Sequence, residues 1–400
     1  MSIASESAAA TAEARSLRSR FFILSLGNFI VGISAFVVFG LMAEMSRAFA
    51  VTPDTMARVV AEYSLAYALF APILVAVTGA LPRRLVVTLG MGLTAFAAFL
   101  CAIAPALIMI DVGRIIAAFG ASLYSPAVSA VAISMAPPEK RATALSAVFM
   151  GFTAAQGIGT PMGTWLGYTF GWQVTFVIVG ALASLMTAVV WRTVPKDVPF
   201  APTSLVELGR VVRSGPVIAG LAFTLLFMTS TYITLTFITP MLETRLGVGR
   251  DGLAAYLMIY GSMAFVASMV SGMIADRVGP SRALFALCVM LSVLHPLMTQ
   301  GPTQPIAMAL IIGAWSLFGW SHFTMQQSRL VSIAPRDAQL VIALNSSTLH
   351  LGIAVGAAIA SFLIVIPEWR GIAAASTLLV IAAAISLIAG DRWIERRGRG

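Results

Sequence analysis

The sequence predicts an all-α integral membrane protein in which twelve transmembrane helices form two six-helix halves. Three observations predict this fold class: an apolar composition, twelve long apolar runs, and a pair of loops that recurs in the second half of the chain. Of 400 residues, 59% are hydrophobic and 10% are charged, and the mean hydropathy is +0.94. A soluble domain carries about 25% charged residues, so a water-soluble fold is excluded.

Twelve apolar runs are long enough to cross a bilayer, which takes about 20 residues of helix. Short polar or proline-containing stretches separate them, and each run is interpreted as one spanning helix. In chain order the runs are 21–43, 58–78, 85–104, 106–133, 142–166, 172–192, 216–241, 252–274, 283–300, 305–328, 339–366 and 371–390.

The first run follows an Ala/Ser-rich segment that becomes basic at Arg15, Arg18 and Arg20. A signal peptide can begin this way, but the run 21–43 is too long for a cleaved apolar region, and no convincing A-x-A site follows it. We therefore expect residues 1–20 to form a flexible cytoplasmic tail that precedes the first span.

Basic residues are distributed unequally between the two sides of the predicted bundle. Nineteen of the 25 Lys and Arg residues fall on the side that carries both chain ends, five fall on the other side, and Arg114 falls within a span. The positive-inside rule then places both termini in the cytoplasm, and we expect a multi-pass protein of the bacterial inner (plasma) membrane. This asymmetry explains the net charge of +9 without nucleic acid as a partner.

An internal repeat divides the chain into two halves. Gly79 in TGALPRR and Gly272 in SGMIADR are 193 residues apart, and the loops SMAPPEKRA and SIAPRDAQL recur with an offset of 198. Two related halves are what an alternating-access transporter needs, with a binding site between them. The predicted domains are the tail 1–20, a first bundle 21–192, a central cytoplasmic loop 193–215, a second bundle 216–390 and a C-terminal tail 391–400.

The stretch 272–282 reads GMIADRVGPSR and resembles the cytoplasmic loop signature of the major facilitator superfamily. The resemblance implies a latch that holds one conformation closed on the cytoplasmic side, in which Asp276 caps a helix N-terminus or pairs with an arginine. A basic loop that only sets topology is the alternative. The residues of the predicted latch are Gly272, Asp276, Arg277, Gly279 and Arg282, together with Arg83 and Arg84 of the first-half counterpart GALPRR, which lacks the aspartate.

Because GALPRR lacks the aspartate and the second glycine, it resembles the arabinose- and sugar-efflux branch of the twelve-helix drug:proton antiporter group of that superfamily. Two further motifs resemble the same group. GRIIAAFGASLYSP (113–126) resembles the fourth-helix motif, with Arg114 as its intramembrane arginine. GIGTPMGTWLG (157–167) resembles the fifth-helix antiporter motif. A nucleotide-binding loop would need a strand before its glycines, and these glycines lie inside an apolar run, so we reject that interpretation.

The fifth span carries a small residue at every fourth position, which produces a smooth ridge that another helix can approach closely. Pro161 removes one backbone hydrogen bond and permits a kink. We expect this ridge to be the contact face on which the two halves move. Its residues are Gly151, Ala155, Gly159, Gly163 and Gly167, and the eleventh span repeats the pattern at Gly352, Gly356 and Ala360.

Ionisable side chains within spans are costly to bury and are therefore candidates for function. Asp111 and Arg114 are three residues apart on one helix face, so they can pair, and protonation of Asp111 would then free Arg114. A static structural pair is the alternative, and an interior histidine with a structural role is the simpler interpretation of each histidine. The proton-coupling candidates are Asp111, Arg114, Glu62 and His322.

Other polar and aromatic side chains within the spans predict the lining of a substrate cavity. Hydroxyls, amides and aromatic faces suit a neutral polar or amphipathic molecule, such as a sugar, nucleoside, amino-acid metabolite or drug. The candidates are Asn28, Tyr67, Tyr124, Gln156, Tyr232, Trp320, Gln326, Asn345 and His350.

These features together predict a secondary active transporter, and the antiporter-type motifs imply efflux of the molecule against proton entry. An uptake symporter or a facilitator of the same fold is the alternative. A membrane-embedded enzyme would need a catalytic constellation that the sequence does not offer, and an ATP-driven pump would need a G-x-x-x-x-G-K-[ST] motif, which is absent. We expect no cofactor or metal, and a protein that functions as a monomer in the lipid bilayer with a small molecule and protons as partners.

Overall fold

The computed structural model describes residues 3–136, 141–196 and 205–398. Within these ranges the chain is helical apart from short connections, and no β-strand occurs. In chain order the helices are α1 (Ile3–Ala48), α2 (Pro53–Val77), α3 (Arg83–Ala102), α4 (Leu107–Met135), α5 (Arg141–Ala154), α6 (Thr160–Phe170), α7 (Trp172–Thr193), α8 (Leu205–Val212), α9 (Gly215–Thr236), α10 (Ile238–Leu246), α11 (Arg250–Val278), α12 (Pro280–Gln300), α13 (Pro305–Ile333), α14 (Ala338–Leu363) and α15 (Arg370–Gly398).

Eleven helices in the described ranges are long and apolar enough to span a bilayer. The predicted fifth span is made by α5 and α6 together, joined by a π-helical turn at Ala155–Gly159. The predicted all-α membrane fold is therefore confirmed. Because consecutive spans alternate in direction, α1 begins and α15 ends at the same end of the bundle. We call that end the tail side and the opposite end the far side.

Helix α1 and the central connection both contain more helix than the sequence predicted. Helix α1 begins at Ile3 rather than near residue 21, because the segment before the first span is rich in Ala and other good helix formers. Helix α8 lies within the predicted loop 193–215, and its Val211 is buried against Val217 and Leu330 of the second half. Residues 197–204 of that predicted loop lie outside the described part of the chain.

The fifth span departs from regular helix next to its proline. The Thr160 N–H donates to Ala155 O, five residues earlier, as expected for a π-turn. Pro161 has no N–H, so Gly157 O lacks its regular donor. The missing hydrogen bond explains why the regular α-helical hydrogen-bond pattern breaks in the middle of this span.

The small-residue ridge of the fifth span packs against α1, which belongs to the same half. A Cβ atom at Gly163 would lie 2.6 Å from Val37 Cγ2. A Cβ atom at Gly159 would overlap the side chain of Ile33. The expectation that the ridge is the contact face between the halves is therefore wrong. A four-residue spacing predicts a smooth face, but it does not identify the helix that covers that face.

The halves meet beside the ridge rather than on it. A Cβ atom at Gly261 of α11 would overlap Gly157 Cα and Gln156 O, so the two backbones touch directly at the π-turn. In the second half, side chains at Gly352 and Gly356 of α14 would collide with α9, just as the ridge of the fifth span meets α1. The two predicted halves thus contain equivalent close helix pairs.

Candidate functional site

A cavity with an empty volume of about 1020 Å³, including space open at its mouth, lies in the tail-side part of the bundle. Helices α2 to α5 of the first half and α14 of the second half line it. Its wall is mostly apolar, and no Asp or Glu occurs among the described residues that line it. The polar lining residues are Tyr67, Thr78, Arg83, Ser122, Ser125, Ser129 and Ser346.

Three serines on α4 form a hydroxyl-bearing wall of the cavity. Ser122 donates to Ala118 O at 2.8 Å, and Ser129 donates to Ser125 O at 2.9 Å. Ser125 itself donates to Asn28 Oδ1 at 3.1 Å. Because these hydroxyl hydrogens are already used, the serine oxygens offer lone pairs to hydrogen-bond donors on a ligand.

Three of the predicted cavity residues lie at or directly behind this wall. Tyr67 lines the cavity, and its ring stacks on His350 of α14. Asn28 is buried behind Ser125 and also donates to Val148 O at 3.1 Å. His350 therefore lies behind Tyr67, and among the polar side chains of the second half it is Ser346 that lines the cavity.

Two other candidates, Gln326 and Asn345, belong to a buried network within the second half. Gln326 Nε2 donates to Gly220 O at 2.7 Å and to Thr224 Oγ1 at 2.9 Å. Thr224 in turn donates to Asn345 Oδ1 at 2.7 Å. This network ties α13, α9 and α14 together and is not among the groups described as lining the cavity.

The remaining four candidates lie in contacts between helices and not at the cavity wall that the structure describes. Trp320 Nε1 donates to Tyr260 OH at 2.8 Å, and Tyr124 OH donates to Leu24 O at 3.4 Å. Each is buried, because helix packing surrounds it on all sides. These four residues are Tyr124, Gln156, Tyr232 and Trp320.

The far side of the bundle is closed by contacts between the two halves. Thr239 Oγ1 donates to Phe39 O at 3.2 Å. Tyr168 OH donates to Glu243 Oε1 at 3.2 Å, and the same oxygen lies 3.9 Å from Arg47 Nη1. The cavity therefore lies on one side of the bundle, while the other side is sealed.

The charged groups near the far side are paired differently from the prediction. Asp111 does not pair with Arg114; Arg58 Nη2 binds Asp111 Oδ2 at 2.9 Å, and Arg58 Nε binds Glu62 Oε1 at 3.2 Å. Arg114 donates instead to the backbone carbonyls of Ser34 and Ala35 on α1. The reason is geometric: partners on neighbouring helices are better placed than a partner one turn away on the same helix.

The structure gives His322 and His295 separate surroundings. His322 is buried, with Nδ1 2.6 Å from Gly319 O and its ring 4.6 Å from that of Phe227. His295 is surrounded by polar partners, among them Trp315, whose Nε1 donates to its Nδ1 at 3.2 Å. Neither histidine is among the residues described as lining the cavity.

The predicted latch residues of the two loops have different surroundings. Asp276 and Arg277 are exposed at the tail-side end of α11, and Asp276 makes no ion pair with any described residue. Gly279 ends α11 at a φ of 87°, a conformation that favours glycine. In the first half, Arg84 lies over the Trp191 ring at 4.1 Å, and Arg83 is buried at the cavity wall.

Sequence analysis missed Arg58 as a member of the charged cluster. Arg58 begins the second apolar run, and its four-residue spacing from Glu62 on one helix is the signal that would have identified the pair. It also missed Ser125 and the other serines of α4, because serine in a membrane helix commonly bonds to its own backbone.

Comparison with known proteins places the chain in a family. It is 27% identical over 343 residues to YbcL of Bacillus subtilis, named an uncharacterized MFS-type transporter, covering 85% of this chain and 87% of that one. It is 24% identical over 337 residues to the inner membrane transport protein YdhP of Escherichia coli, covering 84% and 86%. A bacterial homologue of the human lysosomal transporter Spinster, in an inward-facing and unoccupied conformation, aligns with a TM-score of 0.69, 15% identity and coverage of 95% and 96%.

The structural likeness supports the fold, and the named relatives are transporters. The sequence pattern of the Major Facilitator Superfamily matches residues 24–339, and this chain therefore belongs to the major facilitator superfamily.

Proposed function

We propose that this protein is a proton-coupled exporter of a small neutral or amphipathic molecule and works by alternating access. The observation that carries the proposal is the tail-side cavity, which residues of both halves line while contacts between the halves close the far side. A binding space that opens to one side at a time is what alternating access requires. The predicted bundles 21–192 and 216–390 are the two bodies that move.

The charge distribution supports export rather than uptake. The tail side carries most of the Lys and Arg residues, so the positive-inside rule favours a cytoplasmic tail side. The cavity would then receive its substrate from the cytoplasm. The exposed latch residues Asp276 and Arg277 fit this conformation, because a latch that closes the cytoplasmic side is expected to be released when that side is open.

The lining of the cavity favours a substrate without strong charge. Its wall is apolar apart from hydroxyls, the Tyr67 ring and Arg83, and no carboxylate is among the described lining residues. A strongly cationic molecule would find no counter-ion there, and burying an unpaired charge is costly. A neutral polar or amphipathic molecule can place its donors on the serine oxygens and its apolar part on the aliphatic wall.

Energy for export would come from protons, and the far-side carboxyl groups are the candidate carriers. Glu62 and Asp111 lie within the spans and share the guanidinium of Arg58. Ionisable groups at such depth are functional candidates by default. His322 is the weaker candidate, because it is buried and its ring packs on the apolar ring of Phe227.

Transport by purified protein in liposomes tests this proposal. A panel of labelled sugars, nucleosides, amino acids and drugs is presented to the cytoplasmic face with and without an opposing proton gradient. Export requires accumulation of one class that the gradient increases, with proton movement in the opposite direction. Flux that is indifferent to the gradient would leave a facilitator, and proton movement in the same direction as the substrate would indicate a symporter.

A further inference from the structure

We propose that Glu62 and Asp111 hold one proton between Glu62 Oε2 and Asp111 Oδ1, and that its release draws Arg114 away from α1. The proposal rests on the proposed proton coupling. It names the site that binds the proton and the residue, Arg114, that responds to the charge of that site. Three helices contribute: α2 carries Glu62, α4 carries Asp111 and Arg114, and α1 receives the guanidinium of Arg114.

The site consists of two carboxyl groups under one guanidinium. Arg58 binds one oxygen of each, at 3.2 Å for Glu62 Oε1 and 2.9 Å for Asp111 Oδ2. The Arg58 side chain is 55% exposed, the Glu62 side chain 27% and the Asp111 side chain 8%. Within the cluster, Arg58 is therefore the exposed group and the carboxyl group of Asp111 is nearly buried.

The second oxygen of each carboxyl group is the one that would hold the proton. Glu62 Oε2 and Asp111 Oδ1 are both buried and have no hydrogen-bond partner among the described residues. The two carboxyl groups lie close together, because one guanidinium, that of Arg58, is within hydrogen-bond distance of both. Two ionised carboxylates in this position would repel each other and leave two buried acceptors unsatisfied. One proton between Oε2 and Oδ1 satisfies both oxygens and removes one negative charge.

The charge balance agrees with a single shared proton. Arg58 carries one positive charge, and a carboxylic acid with a carboxylate carries one negative charge, so the protonated cluster is neutral. Two carboxyl groups that share a proton titrate as a pair rather than as two independent groups. Neutrality is the favourable state at this depth in a bilayer, where net charge is expensive.

A metal cation would fit this site less well than a proton. Calcium takes six to eight oxygen ligands and magnesium about six, whereas this cluster offers two unpartnered oxygens. The guanidinium of Arg58 adds a positive charge within hydrogen-bond distance of both carboxyl groups. In the described part of the chain, no group of three His, Cys, Asp or Glu side chains is arranged to hold a metal.

The groups that surround the pair explain how its charge is sensed. On α4, Arg114 follows Asp111 by one turn of helix, and its guanidinium lies 4.2 Å from the centre of the Tyr63 ring of α2. From α3, the thiol of Cys101 packs against Gly113, the residue that precedes Arg114. From α1, the carbonyls of Ser34 and Ala35 accept its hydrogen bonds. Arg114 is thus the charged group best placed to respond when the pair becomes more negative.

Helix α1 connects this response to the second half. One turn beyond Ala35, the carbonyl of Phe39 accepts the hydrogen bond from Thr239 of α10, and the Phe39 ring lies 5.6 Å from that of Tyr232 on α9. If the proton leaves, the added negative charge attracts Arg114 toward Asp111, and α1 loses two hydrogen bonds beside this contact. Proton release at the cluster would therefore loosen the far-side closure.

Infrared difference spectroscopy of the purified full-length protein tests the proton site without any substrate. Spectra are compared between about pH 5 and about pH 9, on either side of neutral pH. We expect a C=O band of a protonated carboxyl that is lost on deprotonation, and that disappears in both Glu62→Gln and Asp111→Asn. Glu44→Gln is the matched control, because Glu44 pairs with Arg47 and its side chain is 30% exposed, close to the exposure of Glu62.

Loss of the band in both single variants supports a shared proton. If one variant keeps the full band, or if the band is absent from the native protein, the shared-proton proposal is overturned. Correct folding of each variant is checked by its elution as a monodisperse species and by its helical circular dichroism. Because no substrate is used, a failure here is distinct from a failure of proton-driven export in liposomes.

A distance measurement tests the proposed role of Arg114. Spin labels at Thr52→Cys and Thr303→Cys, two exposed far-side positions in different halves, report the separation of the far-side ends. We expect a pH-dependent change of this distance that is lost in Asp111→Asn and in Arg114→Gln, while Arg114→Gln retains the carboxyl band. A distance that still follows pH in Arg114→Gln would overturn the role of Arg114 as the sensor.

Discussion

The ring of Tyr67 on α2 stacks on the imidazole of His350 on α14, with centroids 3.7 Å apart and planes inclined by 18°. The pair joins the two halves directly above the tail-side cavity, and His350 Nδ1 lies 3.0 Å from Ser346 O, a residue of the cavity wall. A movement of the halves that widens or closes the cavity must therefore break or shift this stack.

Removing the Tyr67 ring is expected to weaken the contact between the halves. Such a stack contributes about 0.5–1.5 kcal/mol, so Tyr67→Ala should lower the thermal unfolding temperature and shift the spin-label distance between the halves. Tyr67→Phe is the control, because it keeps the ring and removes only the hydroxyl. Equal behaviour of the two variants would mean that stacking does not stabilise this conformation.

The ridge of the fifth span is expected to tolerate no large side chain. Gly163→Leu would force a side chain into Val37, and Gly159→Leu would force one into Ile33; overpacking of this kind costs about 1–3 kcal/mol. We expect both variants to insert into the membrane but to lose thermal stability and transport. Gly209→Leu on α8 is the control, since no atom lies within 4 Å of a Cβ there. Normal flux in both ridge variants would contradict the prediction.

A side chain at Gly261 should act on the contact between the halves instead. Its Cβ would overlap Gly157 Cα and Gln156 O, and backbone atoms cannot move aside as a flexible side chain can. Gly261→Val is therefore expected to increase the distance between labels on the two halves. Gly319→Val is the comparison, because the space around Gly319 is open. An unchanged distance in Gly261→Val would show that the close approach does not hold the halves together.

His295 is expected to be structural and electrically neutral. Its Nδ1 accepts from Trp315 Nε1 at 3.2 Å, and its Nε2 lies 3.1 Å from Ser230 Oγ, whose hydroxyl donates to Ser376 O. With Nδ1 accepting, the proton belongs on Nε2, which donates to Ser230. Trp315→Phe removes one of the two hydroxyl or N–H partners of Nδ1, since Thr234 Oγ1 also lies 3.0 Å from it. The lost hydrogen bond should lower stability by about 0.5–1.5 kcal/mol.

Measurements of thermal stability and of the pH dependence of transport distinguish a structural role of His295 from a role in proton coupling. Thermal unfolding of Trp315→Phe should show the loss, while the pH dependence of transport should remain that of the native protein. Ser292→Ala on the same helix is the control, because Ser292 is only half-buried and its hydroxyl donates within α12, to Val289 O. A shifted pH profile in Trp315→Phe would assign His295 to proton coupling.

The spans and their order could be predicted from the sequence because hydropathy is a local property. Each of the twelve apolar runs is largely helical in the structure, although several runs extend a few residues beyond their helix and the run 216–241 is interrupted at Phe237. The run that contains Pro161 is the one that a π-turn interrupts. The site could be predicted only in part. Tyr67 and His350 do meet at the cavity, whereas Gln326 and Asn345 satisfy each other through Thr224 within one half.

The amino-acid sequence by itself determined that this protein is a two-half bundle of membrane helices, which side is basic, and which few ionisable groups the spans contain. Only the tertiary structure decided which partners those groups choose. Spacing along one helix allowed Asp111 to pair with Arg114. In the structure, the packing of α1, α2 and α4 instead pairs Asp111 with Arg58, and Arg114 donates to backbone carbonyls of α1. Contacts between helices depend on distances in three dimensions, and residue spacing within one helix does not contain them.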